Sequence, residues 1–305
     1  MSGLICLVDV DSKIPNLALM KISAFHKLKG NTVKWFEPLF DKPSKIYQSK
    51  VFTFTKDVDY VADCEIVKGG TGYDFSKKLP PIIESMTPDY SIYDHSDYAI
   101  GFLTRGCPNK CSWCVVPKKE GDVHEVAEIE RIAGDFKQVV LLDNNVLASE
   151  FGIKQIEKIA TMPIKIDFNQ GLDARLIDDS IAKLLAACKW IRYIRLACDT
   201  VAQMPAVEKA VKLLRKYKNN VQIFVYVLVK NIADALKRVE FLRKLNVNPF
   251  AQPFRDFENN IAPNQLQKDF ARWVNHKAIF KSVPWHEYNQ KQPKFSNESQ
   301  LQFNF

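Results

Sequence analysis

The chain has 305 residues, 47% of them hydrophobic and 26% charged, and a formal net charge of +8. That length and apolar content exclude a disordered or fibrous chain and suffice for one large domain or two moderate ones. No run of eighteen apolar residues occurs, which argues against a membrane-spanning helix and predicts a soluble, unsecreted, cytoplasmic protein without a membrane partner. In chain order, "LICLVDVD" (4–11) reads as a buried strand, "NLALMKISAFHKLKG" (16–30) as an amphipathic helix closed by Gly30, and "TVKWFEP" (32–38) as a second strand. "KIYQSKVFTFT" (45–55) and "CEIVKGG" (64–70) read as further strands, the latter running into the loop "GGTGYDF". Strands alternating with helical segments predict an α/β fold, beginning with a small doubly wound domain over 1–80. The proline-, aspartate- and tyrosine-rich stretch that follows predicts a linker over 81–97.

The alternation then repeats with a longer stroke. Strands are expected at Tyr98–Leu103, Gln138–Leu142, Ile164–Asn169, Tyr193–Ala197, Gln222–Val229 and Asn248–Pro253, with helical segments such as "VHEVAEIERIAG" and "DDSIAKLLAACKW" between them. A full eight-unit barrel needs about 250 residues, so a partial, open (β/α)6 barrel over 98–260 fits better. "NQLQKDFARWVNHKAIFKS" predicts a C-terminal helix within 261–285, with Phe270, Trp273 and Val274 on one face. The polar 286–305 reads as a mobile tail. The charge excess lies wholly after residue 200, where 17 Lys and Arg face 8 Asp and Glu. Much of it falls in "VEKAVKLLRKYKNN" and "ADALKRVEFLRKLN", as the solvated faces of two helices or as a site for an anionic partner.

Three of the seven cysteines, Cys107, Cys111 and Cys114, stand at C-x3-C-x2-C spacing. An odd set in a reducing compartment argues against disulfides. A structural zinc site would want a fourth ligand, and the next histidine, His124, is expected at the start of a helix. Three thiolates on an iron-sulfur cluster would leave one iron open to a further ligand. Gly106 and Pro108 permit the tight turn such a loop needs, and Arg105, Lys110, Lys118 and Lys119 place positive charge beside it or serve only as solvated surface. Cys6, Cys64, Cys188 and Cys198 are isolated in apolar surroundings and read as reduced core residues.

The motif "RGCPNKCSWCVVP", placed after the first strand of a partial barrel, resembles the radical S-adenosylmethionine (SAM) enzymes, closest to the branch with cobalamin-binding and methylthiotransferase members. The resemblance implies that Cys107, Cys111 and Cys114 hold a [4Fe-4S] cluster, that its open iron chelates SAM, and that Trp113 lies near the adenine. It implies reductive cleavage of SAM to a 5′-deoxyadenosyl radical that abstracts a substrate hydrogen, with an electron donor as partner. Family members bind the SAM amino group after the second barrel strand, where this chain has Asp143, Asn144 and Asn145. Capping of the following helix is the alternative for the asparagines.

Later strand exits offer further SAM- or substrate-facing candidates: Asn169, Gln170, Asp173 and Arg175, then Arg195 and Asp199, then Lys230, Gln252 and Arg255. Asp178 or Asp179 reads as a helix cap. The N-terminal domain resembles a cobalamin-binding domain, yet "DVDSKIPNLALMK" lacks the motif's histidine and glycines, which weighs against cobalamin; "KGGTGYDF" remains as a backbone-lined pocket. With only Cys6 and Cys64 there, a second cluster is not expected. The substrate reads first as a nucleic acid or nucleotide, suggested by the basic last third and the methylthiotransferase-like motif, with modification of a peptide or small molecule, cobalamin-dependent methylation included, as the alternative. A non-catalytic zinc or iron-sulfur module is the reading from a different class.

Overall fold

The computed structural model describes residues 3–93, 97–257, 259 and 261–290. The chain is a mixed α/β protein with parallel sheets, divided into two compact units, Met1–Asn169 and Gln170–Phe305.

In the first unit, β1 (Leu4–Asp9), α1 (Leu17–Leu28), β2 (Thr32–Trp35), β3 (Lys45–Ser49) and β4 (Glu65–Gly69) follow the alternation read from the sequence. The four strands form one sheet in the order β2-β1-β3-β4, every pair parallel. Asn16 caps α1 by accepting a hydrogen bond from Leu19 N, and the helix buries Leu19 and Ile22 against Leu7 of β1. A doubly wound domain carries helices on both faces, but the β2–β3 and β3–β4 connections contain no helix. The glycine-rich loop after β4 lies on backbone: a Cβ on Gly70 would stand 2.4 Å from Lys50 O, and one on Gly72 2.8 Å from Phe52 O. These glycines allow one loop to lie close on another.

Much of the expected linker is structured. α2 (Pro81–Glu84) is followed by a 3-10 turn at Tyr90–Ile92, and Ile83 is buried with Leu7, Leu19 and Ile22. Residues 94–96 lie outside the described residues. Then come β5 (Ala99–Gly101), β6 (Thr104–Arg105), α3 (Val116–Lys119), β7 (His124–Glu125), α4 (Ile129–Ala133), β8 (Gln138–Leu141), α5 (Glu150–Thr161) and β9 (Lys165–Phe168). β5, β8 and β9 make a three-stranded parallel sheet. The helix expected over "VHEVAEIERIAG" is confined to Ile129–Ala133. Its first residues instead form β7, antiparallel to β6 with Arg105 opposite His124.

The second unit carries α6 (Asp179–Ala187), β10 (Ile194–Ala197), α7 (Met204–Tyr217), β11 (Ile223–Val229), α8 (Ile232–Lys244) and β12 (Asn248–Pro253). Its three strands are parallel in the order β10-β11-β12. All six strands expected after residue 98 are present, as two sheets of three among the described residues. Strand β11 alternates strictly: Ile223, Val225, Val227 and Val229 are buried, while Phe224, Tyr226 and Leu228 are half-exposed. That period of two marks a sheet packed on one face.

The expected C-terminal helix is three, α9 (Gln265–Asn275), α10 (Lys277–Ser282) and α11 (Trp285–Gln290). Phe270 and Trp273 are fully buried, and Trp273 Nε1 donates to Val283 O at 2.8 Å. The start of the expected mobile tail is thus helical, and residues 291–305 lie outside the described residues. A capping box opens α9: Asn264 accepts from Gln267 N, and Gln267 accepts from Asn264 N. Asn264→Ala is expected to cost about 1 kcal/mol in urea unfolding.

Candidate functional site

The cysteine stretch is a loop with a closed neck. At one end Gly106 has φ +85°, and a Cβ there would stand 2.2 Å from Asp122 O. Cys107 N donates to Gly121 O at 3.1 Å, and the β6–β7 pairing seals the neck. Inside it, Cys114 N donates to Cys111 O at 3.0 Å, making a tight turn with Ser112 and Trp113 at its corner. α3 follows at once, and its Lys119 hydrogen-bonds Thr71 of the glycine-rich loop. Burial holds the Lys119 ammonium below the ordinary lysine range.

Cys107, Cys111, Cys114 and Trp113 are all half-buried. Of the other cysteines, Cys64 is also half-buried, not the core residue its surroundings in the sequence imply, whereas Cys6, Cys188 and Cys198 are buried, and burial pushes each of these three thiols up to about 12. Such thiols are inert. Among the described residues, no three His, Cys, Asp or Glu side chains are gathered closely enough to hold a single metal ion. By kind and spacing the donors still suit a soft, thiolate-held group, and Gly106 forms a neck no larger residue fits.

Beside the loop lies the run after β8. Asp143 is buried; its Oδ1 accepts Thr104 N at 2.6 Å and Thr104 Oγ1 at 2.8 Å, and its Oδ2 accepts Leu103 N at 3.2 Å. Asn144 Oδ1 accepts Gly106 N at 3.0 Å, and Asn145 Nδ2 donates to Cys107 Sγ at 3.5 Å. The resemblance implies that this tripeptide meets an ammonium. In the structure its side chains hold the chain entering the cysteine loop, because Leu103, Thr104 and Gly106 have backbone donors that their own strands leave unused.

Burial pushes Asp143 up to about 6, outweighing the bonds from Thr104 and Leu103 that pull it down. The folded value exceeds the unfolded one near 3.8, so the group's contribution to stability is complete below about pH 4 and is lost as pH rises through about 6. A carboxyl-carbon NMR titration is expected to find this group with a midpoint near 6; a midpoint near 4 would contradict the burial argument.

Asp199, two residues past β10, stands in the same relation to its strand: its Oδ1 accepts Leu228 N at 3.1 Å, and burial raises its carboxyl. Beneath it the guanidinium of Arg238, 1% exposed, reaches Cys198 O at 2.7 Å, Leu228 O at 2.9 Å and Asp234. Arg195 projects from the half-exposed sheet face, donating to Tyr226 OH at 3.1 Å with its guanidinium 5.2 Å from the Phe224 ring centre. Asp173 caps a 3-10 turn and takes Arg175 Nε and Nη2 on its two oxygens. Asn169 extends the β8–β9 ladder through its N–H to Leu141 O. Asp178 is the cap of α6. Lys230 lies over the Phe254 ring, Gln252 and Gln170 are exposed, and Arg255 is half-buried.

Many cations of the basic last third have partners within their own unit. Arg215 donates to Leu245 O and Asn246 O, Lys212 pairs with Glu208, Lys216 with Asp179, and Arg243 donates to Phe280 O. No helix among the described residues is long and apolar enough to cross a membrane.

No protein-family model matches the chain. The chain is 25% identical over 213 residues to the ribosomal protein uS12 methylthiotransferase RimO of Clostridioides difficile (strain 630), in an alignment covering 66% of this chain and 42% of that protein. The chain thus spans less than half the length of this relative. The distant similarity supports a relationship at the level of the radical SAM superfamily, and with it an enzyme.

Proposed function

We propose that this protein is a radical SAM enzyme. The observation that carries the reading is the neck-closed loop presenting three half-buried cysteines without a fourth, in a chain distantly similar to a methylthiotransferase. Cys107, Cys111 and Cys114 would hold a [4Fe-4S] cluster. Held there with SAM, such a cluster would supply the electron for reductive cleavage of SAM to methionine and a 5′-deoxyadenosyl radical, the species that would take a hydrogen atom from the substrate. Trp113, two positions past Cys111, is assigned to the adenine. In the second unit Arg195 is assigned to SAM or substrate. Asn169, Asp173 and Arg175 remain candidates for the ribose and carboxylate, and an external electron donor completes the system. Asp143, Asn144 and Asp199, engaged with backbone N–H groups, are assigned to holding strand exits in place.

For the substrate we favour a peptide over a nucleic acid. Several cations of the basic last third are paired within their own unit, and the matched relative is named for action on a ribosomal protein. Weak, salt-insensitive binding to RNA and DNA is expected; binding that falls steeply with salt would reverse this choice. A cobalamin role is not assigned, since Gly70 and Gly72 lie against the Lys50–Phe52 backbone.

The test is anaerobic reconstitution with iron and sulfide. A brown protein absorbing near roughly 400 nm, yielding 5′-deoxyadenosine on reduction with SAM, is expected, and Cys114→Ala is expected to lose both properties. An intact cluster that yields no 5′-deoxyadenosine would overturn the enzyme reading. A colourless protein with stoichiometric zinc would leave a non-catalytic metal module.

A further inference from the structure

The three residues after β8 make contacts of two kinds. Asp143 and Asn144 accept hydrogen bonds from the backbone of residues 103, 104 and 106. Asn145 instead donates, and its target is a sulfur: Nδ2 lies 3.5 Å from Cys107 Sγ. Asn145 is 4% exposed, so water competes little for that amide. Its backbone begins the 3-10 turn Val146–Ala148, which joins α5 through the Ser149 cap, so the amide is carried by rigid structure. The sulfur is equally constrained, because Cys107 N is tied to Gly121 O and the preceding Gly106 N to Asn144. Donor and acceptor are held from both sides.

We infer that Asn145 is a positioning residue that tunes the group bound by Cys107, an inference that rests on the proposed function above. An N–H directed at a ligating sulfur draws charge from it. A cluster gains negative charge on reduction, so the bond favours the reduced form and raises the reduction potential. Cys107 would then be the electronically distinct member of the three.

The test is a redox titration of the reconstituted full-length protein, followed by electron paramagnetic resonance with neither substrate nor turnover. Asn145→Leu keeps the approximate volume and removes the donor. Its midpoint is expected to fall so that the ratio of reduced to oxidised cluster at a fixed potential drops roughly tenfold, about 59 mV for one electron. Asn144→Ala releases Gly106 N while leaving the sulfur's own donor in place, and is expected to shift the midpoint by clearly less than Asn145→Leu does. An unshifted midpoint in Asn145→Leu, or an equal shift in Asn144→Ala, would overturn the inference. Should Asn145→Leu retain no cluster, Asn145→Asp decides: it keeps the size, removes the donor and adds charge, so its midpoint must fall further, and an unchanged value refutes the tuning role. A wild-type chain that takes up no cluster overturns the proposed function itself, as iron content shows before any potential is measured.

Discussion

Gly106→Ala is expected to cost about 3 kcal/mol or more and to lower iron uptake by the cysteine loop severalfold. Two effects add. The left-handed backbone at φ +85° costs an alanine about 1–2 kcal/mol, and the new methyl would meet Asp122 O at 2.2 Å and Gly121 O at 2.7 Å. Neither oxygen can retreat freely, because Gly121 O receives Cys107 N and the next residues enter β7. Gly121→Ala is the matched control. Its φ of +76° is equally left-handed, yet nothing lies within 4 Å of the added carbon, so about 1 kcal/mol and near-normal iron uptake are expected. Urea unfolding and iron content after reconstitution check both; equal losses in the two variants would show that close approach at Gly106 is not what matters.

Arg238→Ala is expected to cost about 3–5 kcal/mol, the penalty for removing one partner of a buried, hydrogen-bonded charge. The guanidinium is 1% exposed and satisfies Cys198 O, Leu228 O and Asp234 together. Its loss leaves two carbonyls at the exits of β10 and β11 without this donor. With Asp199 accepting from Leu228 N, both polar groups of Leu228 are bonded to side chains outside its own strand, Asp199 just past β10 and Arg238 in α8. Thermal unfolding would show the loss, and Arg238→Met, which fills the volume without donating, is expected to fall between wild type and alanine.

The strands were legible because their apolar runs are long enough to carry a period: β11, with seven residues alternating strictly, was readable to within one residue. What was not legible is non-local. β7 is two residues long, and Val126, Ile129 and Ala133 around it have helical spacing, so only its pairing with Thr104 and Arg105 makes His124 and Glu125 a strand. The same holds for the site. The cysteine spacing is a local signal and stands out in the sequence. That Asp143, Asn144 and Asn145 face the loop depends on β5 and β8 lying side by side, across some forty residues of chain. A polar strand exit in a sequence does not reveal whether its side chains point to a ligand or to a neighbour's N–H; Asp143 and Asp199 do the latter.

The sealed neck of the cysteine loop sets where the chain tolerates change in length. The 15 residues from Cys107 to Gly121 form a ring whose two ends are fastened by backbone bonds, with the cysteines inside it. Ring closure depends only logarithmically on length, so four residues inserted between Cys114 and Gly121 add about 0.2 kcal/mol of closure entropy. One residue inserted in β6 or β7 would move Arg105 away from His124 and reverse the facing of the side chains beyond it. The ring is elastic in length and its clasp is not, so insertions among related chains belong after Cys114, never at residues 104–106 or 122–125.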